Sequence, residues 1–285
     1  MPIVILTDSA SDIDASVRQS LGIVAVPLKV MFGSETYLDG VTITSTAFFD
    51  KLKQSSVLPT TSQPSPLEFA EAYKAIYEEH GKDVQIIAIM LSASLSGTYQ
   101  SAMIAKSMLE ESIDITVIDS RKASYVHGMI CVDAAKAAKE GKSKQQILDM
   151  IDRYLDEVQV YFIVDTLEFL QKGGRIGRAA AVIGSLLNIK PILTLDPAGY
   201  VSAFDKVRGT KKALNRVLET FQEYAQGKPV KVGVLHSSVP DQAAEILERI
   251  KQEFQVADFH LEEIGPVIGT HAGPGLIGVL MVRAE

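Results

Sequence analysis

The feature that most constrains this chain is the alternation of short apolar runs with longer segments of helical periodicity. Ile3 to Thr7, Val84 to Met90 and Ile113 to Ile118 have the length and the Ile/Val content of strands. Between them lie helices with recognisable ends. Ser65-Pro66-Leu67-Glu68 places Ser at the cap, Pro at the first helical position and Glu at the third, and the helix closes near His80-Gly81. Tyr125 to Lys139 is an Ala-rich helix ended by Gly141, and Ser143 with Gln146 three residues on starts another that reaches about Glu157. Strands that alternate with helices bury their faces as parallel or mixed sheets flanked by helices, so the expected class is α/β.

The rest of the chain fits the same scheme. Ile23 to Phe32 and Glu35 to Leu38 form a hairpin at Gly33-Ser34, Thr46 to Lys53 is a short helix, and Gln54 to Pro64 is loop. A second β/α set starts at Val158 to Val164. It continues through a helical Thr166 to Gln171, a small-residue helix from Ala179 to Leu187, and a hairpin whose turn is Asp196-Pro197-Ala198-Gly199. Helices over Lys211 to Tyr224 and Asp241 to Phe254 alternate with strands over Val230 to Leu235 and Asp258 to Ile264. A loop from Gly265 to Gly275 precedes the last strand. The boundary between the sets falls at residue 157, giving an expected N-terminal α/β domain of residues 1–157 and a C-terminal one of 158–285. A chain of 285 residues is long enough for two such cores.

Composition narrows the function. Hydrophobic residues make up 47% and charged residues 22%, which fits a globular protein. The net charge of −7 gives no pull towards nucleic acid or anionic membrane, and a Trp-free chain offers no obvious stacking platform. Cys131 is the only cysteine, which excludes an intramolecular disulfide, and it sits among Met129, Ile130 and Val132 where a buried thiol is expected. There is no secretory signal pattern, and Leu276 to Val282 is too short to span a bilayer, so the expected location is the cytoplasm.

Four loops carry candidate chemistry. Leu91 to Thr98 links a buried strand to a helix start and holds four hydroxyls, Ser92, Ser94, Ser96 and Thr98, beside Gly97. Free N–H groups and the helix dipole suit an anionic oxygen there, and without a Lys the turn is no phosphate loop. A carboxylate held by neutral donors is the expected ligand; a plain capped helix start is the alternative. Thr61 and Ser62 lie just upstream of the Ser65 cap and are free to face a ligand. Lys172, Arg175 and Arg178 surround a Gly-rich turn, and His271 stands among glycines that permit close approach. No catalytic class is well served. The G-x-S-x-G elbow is absent, and the five His residues show no metal-ligand spacing, so neither metal nor cofactor is expected. A triad of His271 with Ser92, Ser94 or Ser96 stays open, because triads are defined by geometry.

Taken together, Thr7-Asp8-Ser9-Ala10, Thr61-Ser62-Gln63-Pro64-Ser65, Leu95-Ser96-Gly97-Thr98-Tyr99-Gln100-Ser101-Ala102, Asp119-Ser120, Gly173-Gly174-Arg175-Ile176 and Gly269 to Gly275 resemble the DegV family end to end. The resemblance implies a two-domain protein that buries a long-chain fatty acid and serves a fatty acid kinase. The carboxylate would be held by Thr61 and one of Ser92, Ser94 and Ser96, with Ser92 favoured and Ser96 next. The family usually has two adjacent serines where this chain reads Ser92-Ala93. His271 would be a third contact, with Ser62, Gly97 and Thr98 in the surrounding site, and the Lys172/Arg175/Arg178 loop would dock the kinase. The expected function is thus a non-enzymatic carrier that presents a fatty acid for acyl-phosphate formation. The rival readings are a serine hydrolase using His271 and a module binding a phosphorylated metabolite.

Overall fold

The computed structural model describes residues 1–109, 113–182 and 189–284. Its first sheet is built from β1 (Ile3–Asp8), β2 (Val24–Val26), β6 (Gln85–Met90) and β7 (Asp114–Asp119), all parallel and in the order β2-β1-β6-β7. The central strands β1 and β6 are buried on both faces, which explains their unbroken apolar runs. Val4, Leu6, Ile86, Ala88 and Met90 face α3 (Pro66–His80) and α4 (Thr98–Ser107), while Ile5, Ile87 and Ile89 face the opposite way. That division is the period-2 alternation of a strand.

The second large sheet takes every described strand after residue 157: β8 (Gln159–Ile163), β9 (Ile189–Leu195), β10 (Val201–Arg208), β11 (Val230–His236), β12 (Val256–Glu263) and β13 (Ile277–Arg283). Its order is β10-β9-β8-β13-β11-β12. Only β11 and β12 run parallel, joined by the crossover helix α9 (Pro240–Glu253). One face packs on α8 (Thr210–Ala225) and α9 through Tyr161, Val232, Val234, Val279 and Met281. The sheets are thus parallel in one case and mixed in the other, as the alternating pattern implies.

Between the two sheets, with α1 (Ala15–Leu21) packed on the same apolar cluster, lies α5 (Tyr125–Lys139), whose residues from Tyr125 to Ala135 are all buried. An Ala-rich helix suits this position because it presents small groups on every side. With α6 (Lys144–Glu157), it joins Ile5 and Ile89 of the first sheet to Val160, Leu235 and Leu280 of the second in one apolar cluster.

A third, antiparallel sheet of order β4-β3-β5 contains β3 (Lys29–Phe32), β4 (Glu35–Leu38) and β5 (Thr60–Ser62). Here the structure departs from expectation, because Thr60–Ser62 is a strand rather than loop. Three residues carry no readable periodicity; their pairing with β3 at Thr61–Val30 makes the strand. The second departure is α10 (Pro266–Ala272), a helix where the glycines suggested loop. Between Gly177 and Val182 the chain forms a 3-10 helix, and the remainder of the helix expected to Leu187 lies outside the described residues. Among the described residues no helix is long and apolar enough to cross a membrane.

Candidate ligand-binding site

A cavity of about 870 Å³, counting its open mouth, lies where the three sheets and α10 meet. Its wall is apolar over most of its extent, with Leu28, Val160, Phe162, Leu235 and Val267 among the lining residues. Thr61, Ser96, Arg175 and His271 also line it. These four come from four elements, and each element is fixed by its own physical cause.

Thr61 is held by β5, whose alternation turns Ser62 the other way, exposed, with its hydroxyl donating to the Gln63 carbonyl at 3.3 Å. Ser96 sits at the end of the turn after β6. Its amide donates to the Ser92 carbonyl at 3.1 Å, and its Oγ lies 2.9 Å from Thr98 Oγ1. Gly97 follows because a Cβ there would come within 2.6 Å of Gln63 Nε2. The Thr-Ser-Gln-Pro strand and the serine turn are therefore pressed against each other, although 35 positions separate Thr61 from Ser96.

His271 is carried by α10. Pro266 begins this helix at a position where its missing N–H costs nothing. That end of the helix meets two buried carboxylates: Asp39 accepts from the Val267 amide, and Asp12 Oδ1 lies against Gly265 with no hydrogen-bond partner among the described residues. Ser124 Oγ donates to Asp12 at 2.5 Å and Ser9 Oγ to Asp39 at 2.6 Å, so both acids are themselves held in place. Burial pushes Asp12 well above the usual carboxylate range and Asp39 up to about 6. On its flank α10 meets Phe48 and Phe49 of α2 (Ser45–Gln54) at Gly269, where a Cβ would approach both rings to 2.8 Å.

The His271 imidazole lies 2.8 Å from Thr61 Oγ1 through Nε2. Its Nδ1 is buried against Gly173 and has no hydrogen-bond partner among the described residues. Burial, helped by the nearby Arg175 guanidinium, holds its pKa down to about 4, so the ring is neutral at pH 7. Arg175 donates from Nε to the Leu95 carbonyl at 3.0 Å and from Nη1 to the Gly173 carbonyl at 2.9 Å. It fastens the Gly-Gly loop to the serine turn and brings a positive charge to the cavity wall.

The other candidate residues lie elsewhere. Ser92, favoured from sequence as the carboxylate ligand, is fully buried and donates its hydroxyl to the Gly199 carbonyl at 3.0 Å. Ser94 donates to the Ala198 carbonyl at 2.6 Å. These two serines anchor the 196–199 hairpin turn, and neither lines the cavity; Ser96 does. Thr98 is buried at the start of α4. Of the three cations expected to dock a partner, Lys172 is exposed and pairs with Glu168 of α7 (Glu168–Lys172). Arg178 is exposed, pairs with Asp196 at 2.6 Å and lies over the Tyr200 ring. Arg175 borders the cavity instead. Sequence reasoning missed this role because a cation beside two glycines reads as a solvated loop. The Gly265-Pro266 step was a usable helix-start signal for α10, obscured by the glycines after it.

A family model described as "Uncharacterised protein, DegV family" matches residues 2–284. The chain belongs to the DegV family. A DegV domain-containing protein of Halalkalibacterium halodurans is 40% identical over 278 residues, covering 97% of each chain. The structure of a fatty-acid-binding DegV family protein from Thermus thermophilus has a TM-score of 0.92 at 37% identity, covering 100% of both chains. That of DegV, a fatty acid binding protein from Bacillus subtilis, has 0.89 at 37% identity, again over 100% of both. DegV relatives therefore share this architecture from end to end, including the elements that bring Thr61, Ser96, Arg175 and His271 to one cavity.

Proposed function

We propose that this chain is a non-enzymatic lipid carrier that buries one long-chain fatty acid and presents its carboxylate to a fatty acid kinase. The observation that carries the proposal is the cavity's amphipathic lining: hydroxyls, a guanidinium and a neutral imidazole beside a long apolar wall. Each buried methylene contributes about 0.8 kcal/mol, so a long chain binds firmly even after association costs. The fatty-acid-binding relatives in Thermus thermophilus and Bacillus subtilis support the same ligand class.

The head group follows from the donors. With the imidazole proton on Nε2 donating to Thr61 Oγ1, the threonine hydroxyl is free to donate to a carboxylate oxygen. Ser96 supplies a second hydroxyl and Arg175 the compensating charge that a buried carboxylate needs. His271 thereby acts as a positioning residue for Thr61. A kinase bringing ATP would let a carboxylate oxygen attack the terminal phosphorus, with ADP leaving, and the carrier would contribute no reacting group. Lys172 and Arg178 are exposed cations available to such a partner in the cytoplasm. The division at residue 157 places one cavity wall in each proposed domain, 1–157 and 158–285. The hydrolase reading is less well supported, because His271 Nε2 faces a threonine and its Nδ1 meets no orienting acid among the described residues.

Native mass spectrometry of the purified protein, with extraction and identification of what is released, tests the reading. A stoichiometric fatty acid is expected, with affinity lowered about tenfold or more in Thr61→Ala and in Ser96→Ala. Ser92→Ala should keep the ligand and lose stability instead. Protein that carries no fatty acid and takes up none when it is added would overturn the carrier reading.

A further inference from the structure

Glycine in a strand weakens it, so a strand glycine calls for a reason. Among the described glycines two reasons recur. Many, such as Gly199 at φ +84° and Gly275 at φ +82°, occupy left-handed backbone that side chains disfavour. The others stand where a Cβ would collide: Gly97 with Gln63, Gly128 with the Ser11 carbonyl, Gly173 with His271, Gly233 with Leu280, Gly265 with Asp12 and Gly269 with Phe48 and Phe49. Gly278 has neither reason. Its φ is ordinary, and a Cβ there would meet Leu235 Cβ and Phe162 Cβ at 3.5 Å and Leu276 Cδ2 at 3.7 Å, all normal contacts.

Its position supplies the missing reason. In β13, Gly278 pairs with Leu235 of β11 on one side and Phe162 of β8 on the other. Directly paired residues share a sheet face, and Leu235, Phe162 and Gly278 all line the cavity. A side chain at this position would rise from the sheet between Phe162 and Leu235 into the space of the ligand. The backbone and the neighbours would both accept it.

We propose that Gly278 is a specificity-determining position, whose missing side chain keeps open a section of the cavity floor and so admits the longer acyl chains. The proposal rests on the carrier reading and deepens it. Thr61, Ser96, Arg175 and His271 lie on other elements, so a side chain at 278 leaves the head-group contacts in place. The volume it takes comes out of the apolar part of the cavity. Ligands that need all of that volume are lost first, and shorter ones least.

The test compares wild type with Gly278→Ala and Gly278→Val, each delipidated and then offered lauric, myristic, palmitic and stearic acids singly and in competition. Binding is read by native mass spectrometry and unliganded stability by urea unfolding. Gly278→Val is expected to weaken stearic acid by about tenfold or more and lauric acid by less than about threefold. Gly278→Ala should shift the profile in the same direction by a smaller factor, and it keeps the proposal testable should the valine variant fold poorly. Wild type that binds none of the acids would overturn the carrier reading and this inference with it. Wild type that binds them, with a folded variant whose chain-length profile is unchanged or uniformly lowered, would overturn the role of Gly278 alone.

Discussion

Asp39 shows what the site costs at the level of one side chain. It is 2% exposed and holds the amide of Val267 at the start of α10. Its carboxyl is pushed from 3.8 up to about 6, chiefly by loss of water. A raised carboxyl pKa favours the folded state below the unfolded value, and that advantage fades as pH rises through 6. By pH 8 the ionised Asp39 therefore costs on the order of 3 kcal/mol relative to pH 4. Asp39→Asn retains an oxygen able to accept from Ser9 and Val267 but carries no charge. Its stability relative to wild type should rise between about pH 4 and pH 6 and level off above about pH 7, measured by urea unfolding of both proteins in matched buffers. Asp8, pushed up to about 7, slopes the same way, while His127 and His271, held down to about 3 and 4, slope the other. The difference between variant and wild type cancels the two imidazoles and reports Asp39 together with the rise its charge causes at Asp8 and Asp12. Parallel pH curves would show that Asp39 is not the strained group.

At the scale of elements, legibility follows how much of an element's cause is local. Helix α5 was readable to the residue, because an alanine-rich run with a glycine just beyond it has few other solutions. Helix α3 was equally plain from its capping box. The short strand β5 and the helix α10 were not, and both carry site residues. β5 exists because β3 pairs with it, and α10 begins where Asp12 and Asp39, more than 200 positions away, meet its first turn. The candidate site shows the same split. Thr61, Ser96 and His271 belonged to recognisable motifs, whereas the inward place of Arg175 and the commitment of Ser92 to Gly199 depend on distant backbone. Close packing of α5 gives a prediction whose sign discriminates. Alanine for glycine inside a helix ordinarily adds about 1 kcal/mol. At Gly128 the new methyl would strike the Ser11 carbonyl, which cannot rotate aside. Gly128→Ala should instead destabilise by about 1–3 kcal/mol in urea unfolding. A stabilised variant would mean that α5 does not sit this close to the Ser9–Ser11 turn.

At the scale of the whole molecule, the cavity is continuous with the structure's shared core. Val160, Leu235, Val267 and Leu276 belong both to its lining and to the apolar cluster that joins the two large sheets through α5. An acyl chain there would complete that cluster and touch both sheets at once, so binding and folding should be linked across the chain. Free fatty acid at a hundred times its dissociation constant adds about 2.7 kcal/mol to the folded state. For a chain of this size that corresponds to a rise in Tm of roughly 4–5 °C. Delipidated protein should therefore melt lower than protein reloaded with palmitic acid, and calorimetry should show the whole transition moving. Thr61→Ala and Ser96→Ala should move less at the same ligand concentration, because less of each is bound. A rise confined to one part of a split transition would mean that the ligand rests on one sheet alone. The cavity would then be a pocket of one unit and not the joint between them.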